Sequence, residues 1–155
     1  MKTFKRFLNE SRFTNWVKPD TSALELEYKV EFVMKGMNSA TDNVWPDLES
    51  FLDAANSASV VEVDSAMDRR ISYRSGTKSF DQLHNLIKSY RSYPEFRNEK
   101  TLRAIYDGFA QNKPMKMPIV LRWPSGKMRV LGGNTRMDVA FQMGIKPKVL
   151  MMEVK

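Results

Sequence analysis

The residues of this chain best suited to chemistry are Gly132-Gly133-Asn134-Thr135-Arg136. A glycine pair ahead of a helix lets backbone N–H groups face an anion without side-chain obstruction. The helix N-terminus adds partial positive charge and Arg136 a full one. That composition suits a phosphate cradle. Phosphoryl chemistry also needs a carboxylate to orient or deprotonate the nucleophile, and usually a metal ion. Glu62 and Asp64 flank the end of a predicted strand and are the candidates for base or Mg²⁺ ligand, followed by Asp68 and Asp138. Each has a plainer role open to it. The glycine pair can be a tight turn, and Arg136 a structural ion pair with Asp138 or a terminal carbonyl. Glu62 and Asp64 can be solvated strand-edge residues, and Asp138 a complement to the helix dipole.

Charge is segregated along the chain. Residues 1–20 carry five basic and two acidic side chains, residues 21–68 two and ten, and residues 69–155 eighteen and six, for a net charge of +7. The basic part suits a polyanion such as nucleic acid, a nucleotide or a phosphorylated surface. The alternative is a solvated basic face neutralised by the acidic segment. Arg69 and Arg70, and the Tyr90–Asn98 stretch that interleaves aromatics with Arg91 and Arg97, are the candidate nucleic-acid contacts. That stretch equally suits a buried inter-helix loop with aromatic anchors. There is no Cys and one His, His84. Disulfides, thiolate metal sites and Cys nucleophiles are thereby excluded, and a Ser-His-Asp triad is disfavoured. No apolar run reaches the roughly 20 residues of a membrane span. The seven methionines between Met115 and Met152 read as core filler.

These candidates must be positioned by an α+β fold, a small mixed β-sheet flanked by helices. Residues 11–21 read as a loop with a cap. Residues 23–34 admit a strand by alternation or a helix whose stripe is Leu26, Val30, Val33 and Met37, and the Glu and Leu content favours helix. Residues 47–56 form a short helix and Val60–Val63 a strand. Asp64 to Thr77 is a polar loop, and helices follow from Ser79 and Asn98. Met117–Trp123 and Lys127–Leu131 make a hairpin about Pro124-Ser125-Gly126. The glycine-pair helix runs to Met143 with Gly144 as its C-cap, and Lys148–Val154 is the closing strand.

Three pieces in order carry a resemblance to the ParB/sulfiredoxin superfamily over residues 58–155. They are Met117-Pro118-Ile119-Val120-Leu121-Arg122 with its turn at Gly126, Val130-Leu131-Gly132-Gly133-Asn134-Thr135-Arg136, and Gly144-Ile145-Lys146-Pro147-Lys148-Val149. Members bind CTP, ATP or ADP and hydrolyse it or transfer its phosphate, and others are described as nucleases. The resemblance implies that Gly132, Gly133, Asn134, Thr135 and Arg136 hold phosphates, with Arg74 and Ser75 as a second phosphate box. Sulfiredoxins carry Cys-His in the glycine motif where this chain has Asn134-Thr135, so sulfinic acid repair is not expected. No helix-turn-helix domain is expected in the 155 residues, nor therefore sequence-specific centromere binding.

Residues 1–10, Met-Lys-Thr-Phe-Lys-Arg-Phe-Leu-Asn-Glu, resemble the capsid-targeting peptides of T-even-type phage internal head proteins, with Leu8-Asn9-Glu10 matching the maturation cleavage motif. The plainer alternative is an N-terminal helix docking two Phe. The expectation is three parts: a capsid-targeting peptide over 1–10, a helical extension over 11–57 and the ParB/sulfiredoxin-like domain over 58–155. Function is expected to be phage-encoded nucleotide hydrolysis or phosphotransfer with ATP, ADP or CTP and Mg²⁺. The alternatives are a metal-dependent DNA nuclease on the same fold, or a non-catalytic DNA- or host-protein-binding module packaged in the phage head; the phage capsid or a host protein is a further expected partner. The expected place is the host cytoplasm or the virion head, with no membrane partner.

Overall fold

The computed structural model describes residues 13–72 and 99–155. In chain order the elements are β1 (Trp16–Val17), α1 (Thr21–Tyr28), which continues as a π-helical stretch Lys29–Met34, α2 (Met37–Ala40), α3 (Leu48–Asn56), β2 (Ser59–Glu62), α4 (Ser65–Asp68), β3 (Ile71–Ser72), α5 (Glu99–Ala110), β4 (Met115–Lys116), β5 (Ile119–Arg122), β6 (Met128–Gly132), α6 (Asn134–Gln142) and β7 (Lys148–Glu153). The class is mixed α+β, as expected. The predicted helix from Ser79, the Tyr90–Asn98 stretch, His84 and the 1–10 peptide lie outside the described residues.

Five strands form one mixed sheet in the order β2-β7-β5-β6-β3. β5 and β6 are the predicted antiparallel hairpin, β5 runs parallel to β7, β2 antiparallel to β7, and β3 parallel to β6. β7 is apolar on both faces because both are covered. Val149 and Met151 join Val120 and Val130 under Met137 of α6. Leu150 and Met152 join Ile119 and Leu121 under α1, α2 and α3. The helices of residues 21–56 therefore share a core with the sheet. On its outer side α6 packs Val139, Ala140 and Met143 against Phe109 of α5 and against Phe13 and Trp16. Met117, Met128, Met137, Met143, Met151 and Met152 are all buried, in keeping with their reading as core filler.

Residues 23–34 are helical, but the buried stripe is not the predicted one. Leu26 and Val33 are 62% and 66% exposed, while Leu24, Tyr28 and Phe32 are buried. The turn widens after Tyr28, where the Lys35 N–H donates to the Val30 carbonyl at 3.1 Å. An i, i+4, i+8 row stays in line on such a helix better than an i, i+3/i+4 mixture. Aromatic packing also favours that row. Tyr28 stacks on Phe32 at 5.1 Å, and Phe32 meets Trp45 edge-on at 5.8 Å.

Two predicted loops are structured. Within 11–21, Trp16–Val17 pairs in parallel with Met115–Lys116. Within 64–77, Asp64 caps α4 and Ile71 pairs with Met128 at the sheet edge. Both strands are two residues long, which is below the length at which alternation is visible in a sequence.

Candidate functional site

α6 begins where β6 ends. Its N-cap is Gly133, with φ +95° and ψ 22°, and this residue makes no side-chain capping bond. The first N–H groups of a helix have no intrahelical acceptors, so this end presents donors. Glycine is required here on two counts. The backbone is left-handed, and a Cβ at Gly133 would lie 2.8 Å from both Cα and Cβ of Pro118 and 2.9 Å from Nη2 of Arg136. Gly132 faces a different neighbour, the tip of a flexible side chain. A Cβ there would collide with the carboxylate of Glu27, with Cδ at 2.6 Å and Oε2 at 2.9 Å. A carboxylate of α1 thus lies on Gly132, and the Arg136 guanidinium lies on Gly133.

Arg136 is half-buried on the cleft wall, with its Nε out of reach of water. Burial lowers its pKa, and the negative charge of Glu27 works in the opposite sense. Arginine remains a cation at neutral pH even so. Its Nε is buried and finds no hydrogen-bond acceptor among the described residues. The charge that faces Arg136 is therefore Glu27, a residue 109 positions away that nothing in the local sequence singles out.

These groups line a cleft of about 380 Å³, together with Asp20, Ser22, Lys116 and Ile119. That lies within the range of about 300–1,000 Å³ usual for small-ligand sites. Asp20 is the N-cap of α1 and accepts from the Ala23 N–H at 2.8 Å. Its other oxygen lies 3.8 Å from Nζ of Lys116. The cleft thus contains two carboxylates and two cations, with Gly132 and Arg136 in one wall.

The remaining predicted residues are placed as follows. Gly132 and Arg136 line the cleft, Gly133 is the N-cap of α6, and Thr135 lies on its first turn. Asn134 is the first residue of the helix. Glu62 and Asp64 are not brought to the site. Gly132, Ile119, Leu150 and Val60 lie in one row across four strands. Glu62 is two residues beyond Val60, which at about 4.8 Å per strand and 3.3 Å per residue puts it roughly 15 Å from Gly132. Asp64 accepts the Met67 N–H at 2.8 Å as a helix cap. It is there for a local structural reason, as an Asp that opens a short helix is apt to be. Arg69 and Arg70 are exposed in the turn before β3, whose first residue pairs with Met128, at the opposite end of β6 from Gly132. Arg74, Ser75, Arg91 and Arg97 lie outside the described residues. Among the described residues no three His, Cys, Asp or Glu side chains gather as a metal site, and no helix is long and apolar enough to cross a membrane.

Sequence reasoning missed Glu27, Asp20, Lys116 and Pro118. One signal was available: a glycine as the last residue of an apolar strand marks close approach by another group. It says that something approaches Gly132 but not that Glu27 does. No protein-family model, curated protein or solved structure matches the chain.

Proposed function

We propose that the chain binds a nucleotide by its phosphates in the cleft between α1 and the start of α6, and hydrolyses it or transfers its phosphate. The observation that carries this reading is the start of α6. The glycine pair brings no side chain of its own to the helix N-terminus, and a half-buried arginine whose buried Nε has no acceptor among the described residues stands beside it. Helix N-termini and arginine forks are two common protein partners of phosphate oxygens. Arg136 would neutralise charge on the phosphate, and the carboxylates in reach are Asp20 and Glu27 rather than Glu62 and Asp64. The resemblance of the Pro-Ile-Val hairpin and the Gly-Gly-x-x-Arg helix to ParB/sulfiredoxin proteins supports the same ligand class.

Calorimetry of the full chain with ATP, ADP and CTP, with and without Mg²⁺, tests this. At least one nucleotide should bind. Arg136→Gln should weaken it about ten- to hundredfold, the worth of one charge-assisted hydrogen bond. Affinity unchanged in that variant refutes the reading. So does the absence of binding by both the natural chain and its Glu27→Gln form.

A further inference from the structure

We propose that Glu27 is an internal competitor for the anion site, and that a phosphate enters by displacing the Glu27 carboxylate from Gly132 and Arg136. The inference rests on the reading of this cleft as a phosphate site. It follows from what already occupies the cleft. The Glu27 carboxyl group lies against Gly132, its Cδ 2.6 Å from where a Cβ would stand, so that residue has an anion against it. The same carboxylate is the negative charge opposing the half-buried Arg136 guanidinium. An arginine held by a carboxylate in a full two-pronged pair would use two N–H directions. Here the buried Nε still lacks an acceptor among the described residues, so the internal anion leaves part of the fork unused.

Glu27 can leave. It is half-buried on the wall of a cleft and stands two residues before the start of the π-helical stretch. A rotamer change would carry its carboxylate to water without moving α1 off its Leu24, Tyr28 and Phe32 anchors. A phosphate and Glu27 cannot share the position, because both are anionic and would stand within a few ångströms of each other. The ligand class selected is therefore one whose anion outcompetes a single carboxylate, which favours a phosphate dianion or polyphosphate over a carboxylate ligand. The carboxylate stands at the cleft wall beside the guanidinium, so the half-buried cation is not left without a counter-charge.

The test is calorimetry of the full chain with inorganic phosphate and with ATP, comparing the natural protein, Glu27→Gln and Glu27→Asp, with thermal melts to establish that each variant folds. Glu27→Gln keeps the shape and removes the charge. It should bind both ligands about tenfold more tightly, a gain that shrinks with added salt. Glu27→Asp keeps the charge but draws it back by one methylene, and it should fall between the two. Adding Arg136→Gln to Glu27→Gln should abolish the gain. If the natural chain binds and neither Glu27 variant binds more tightly, Glu27 is a fixed counter-ion; the competitor proposal falls and the nucleotide reading stands. If no form binds either ligand, both fall.

Discussion

Replacing Gly133 by alanine separates two costs that most glycine substitutions confound. The backbone at Gly133 is left-handed, φ +95°, and a Cβ would also stand 2.8 Å from the Pro118 backbone. Gly126, in the hairpin turn, has almost the same φ, +91°, with nothing within 4 Å of where its Cβ would stand. A non-glycine residue in the left-handed region costs about 1–2 kcal/mol, and that should be the whole cost at Gly126. At Gly133 the crowding adds about 1–3 kcal/mol, since the Pro118 backbone cannot retreat freely. The sum, about 2–5 kcal/mol, is a large share of the roughly 5–15 kcal/mol that usually holds a domain together. At about 2–4 °C per kcal/mol for a chain of this size, Gly126→Ala should melt a few degrees low and Gly133→Ala roughly 5–15 °C low. Urea denaturation followed by circular dichroism, with the slope checked for constancy, gives both free-energy losses. Equal losses at the two glycines would refute the close approach of Pro118, and with it the geometry assigned to the start of α6.

Two further expectations concern the helices that carry and support Glu27. Tyr28 donates its hydroxyl to the Trp45 carbonyl at 3.3 Å inside the aromatic core. Tyr28→Phe should therefore cost about 1 kcal/mol, whereas Phe32→Ala, which empties a site 2% exposed, should cost about 3–5 kcal/mol; equal effects in chemical denaturation would contradict the packing described. The Asp47 carboxyl is held below its ordinary value, chiefly by the Ser50 backbone N–H and then by the Ser50 side chain. A lowered folded pKa means that the unfolded chain binds protons first, so this contribution is complete above the ordinary value near 4 and is lost as pH falls through the lower folded value. Asp47→Asn keeps a capping oxygen and should flatten that part of the acid limb of a stability–pH curve; an unchanged limb would show that Asp47 does not contribute to it.

What was legible in the sequence, and what was not, follows from how each feature is encoded. The hairpin Ile119–Gly132, the closing strand and α6 are fixed by local signals: a Pro-Ser-Gly turn, short apolar runs, and glycines at the two ends of a helix. Glycine at 133 was legible for the same reason, because an N-cap with positive φ is a property of the position itself. The buried row of α1 was not, because Leu26 and Val33 fit a 3.6-residue period as well as Leu24, Tyr28 and Phe32 fit a four-residue one. Only the aromatic partners Trp45 and Phe51 decide between them. Glu62 and Asp64 looked like site residues because they flank a strand end. The register β2-β7-β5-β6 places that end three strands from the glycine pair, and strand order is not written in any local window.

Glu27 is the instructive case, because it joins the charge pattern of the sequence to the site. A chain with an acidic stretch over residues 21–68 and a basic one after it can be a solvated surface or a polyanion binder. In the folded protein part of the acidic stretch is turned onto the basic part. Glu27 opposes Arg136 and lies on Gly132, and Asp20, just ahead of that stretch, faces Lys116 at the same cleft. The two readings then cease to be alternatives at this site. Neutralisation by the acidic helix is the resting state of the cleft, and a polyanion with more charge than one carboxylate is what would reverse it. The segregation of charge would then serve to hold a half-buried cation in readiness, with the cost of its burial offset by an anion mounted on a separate element and able to leave.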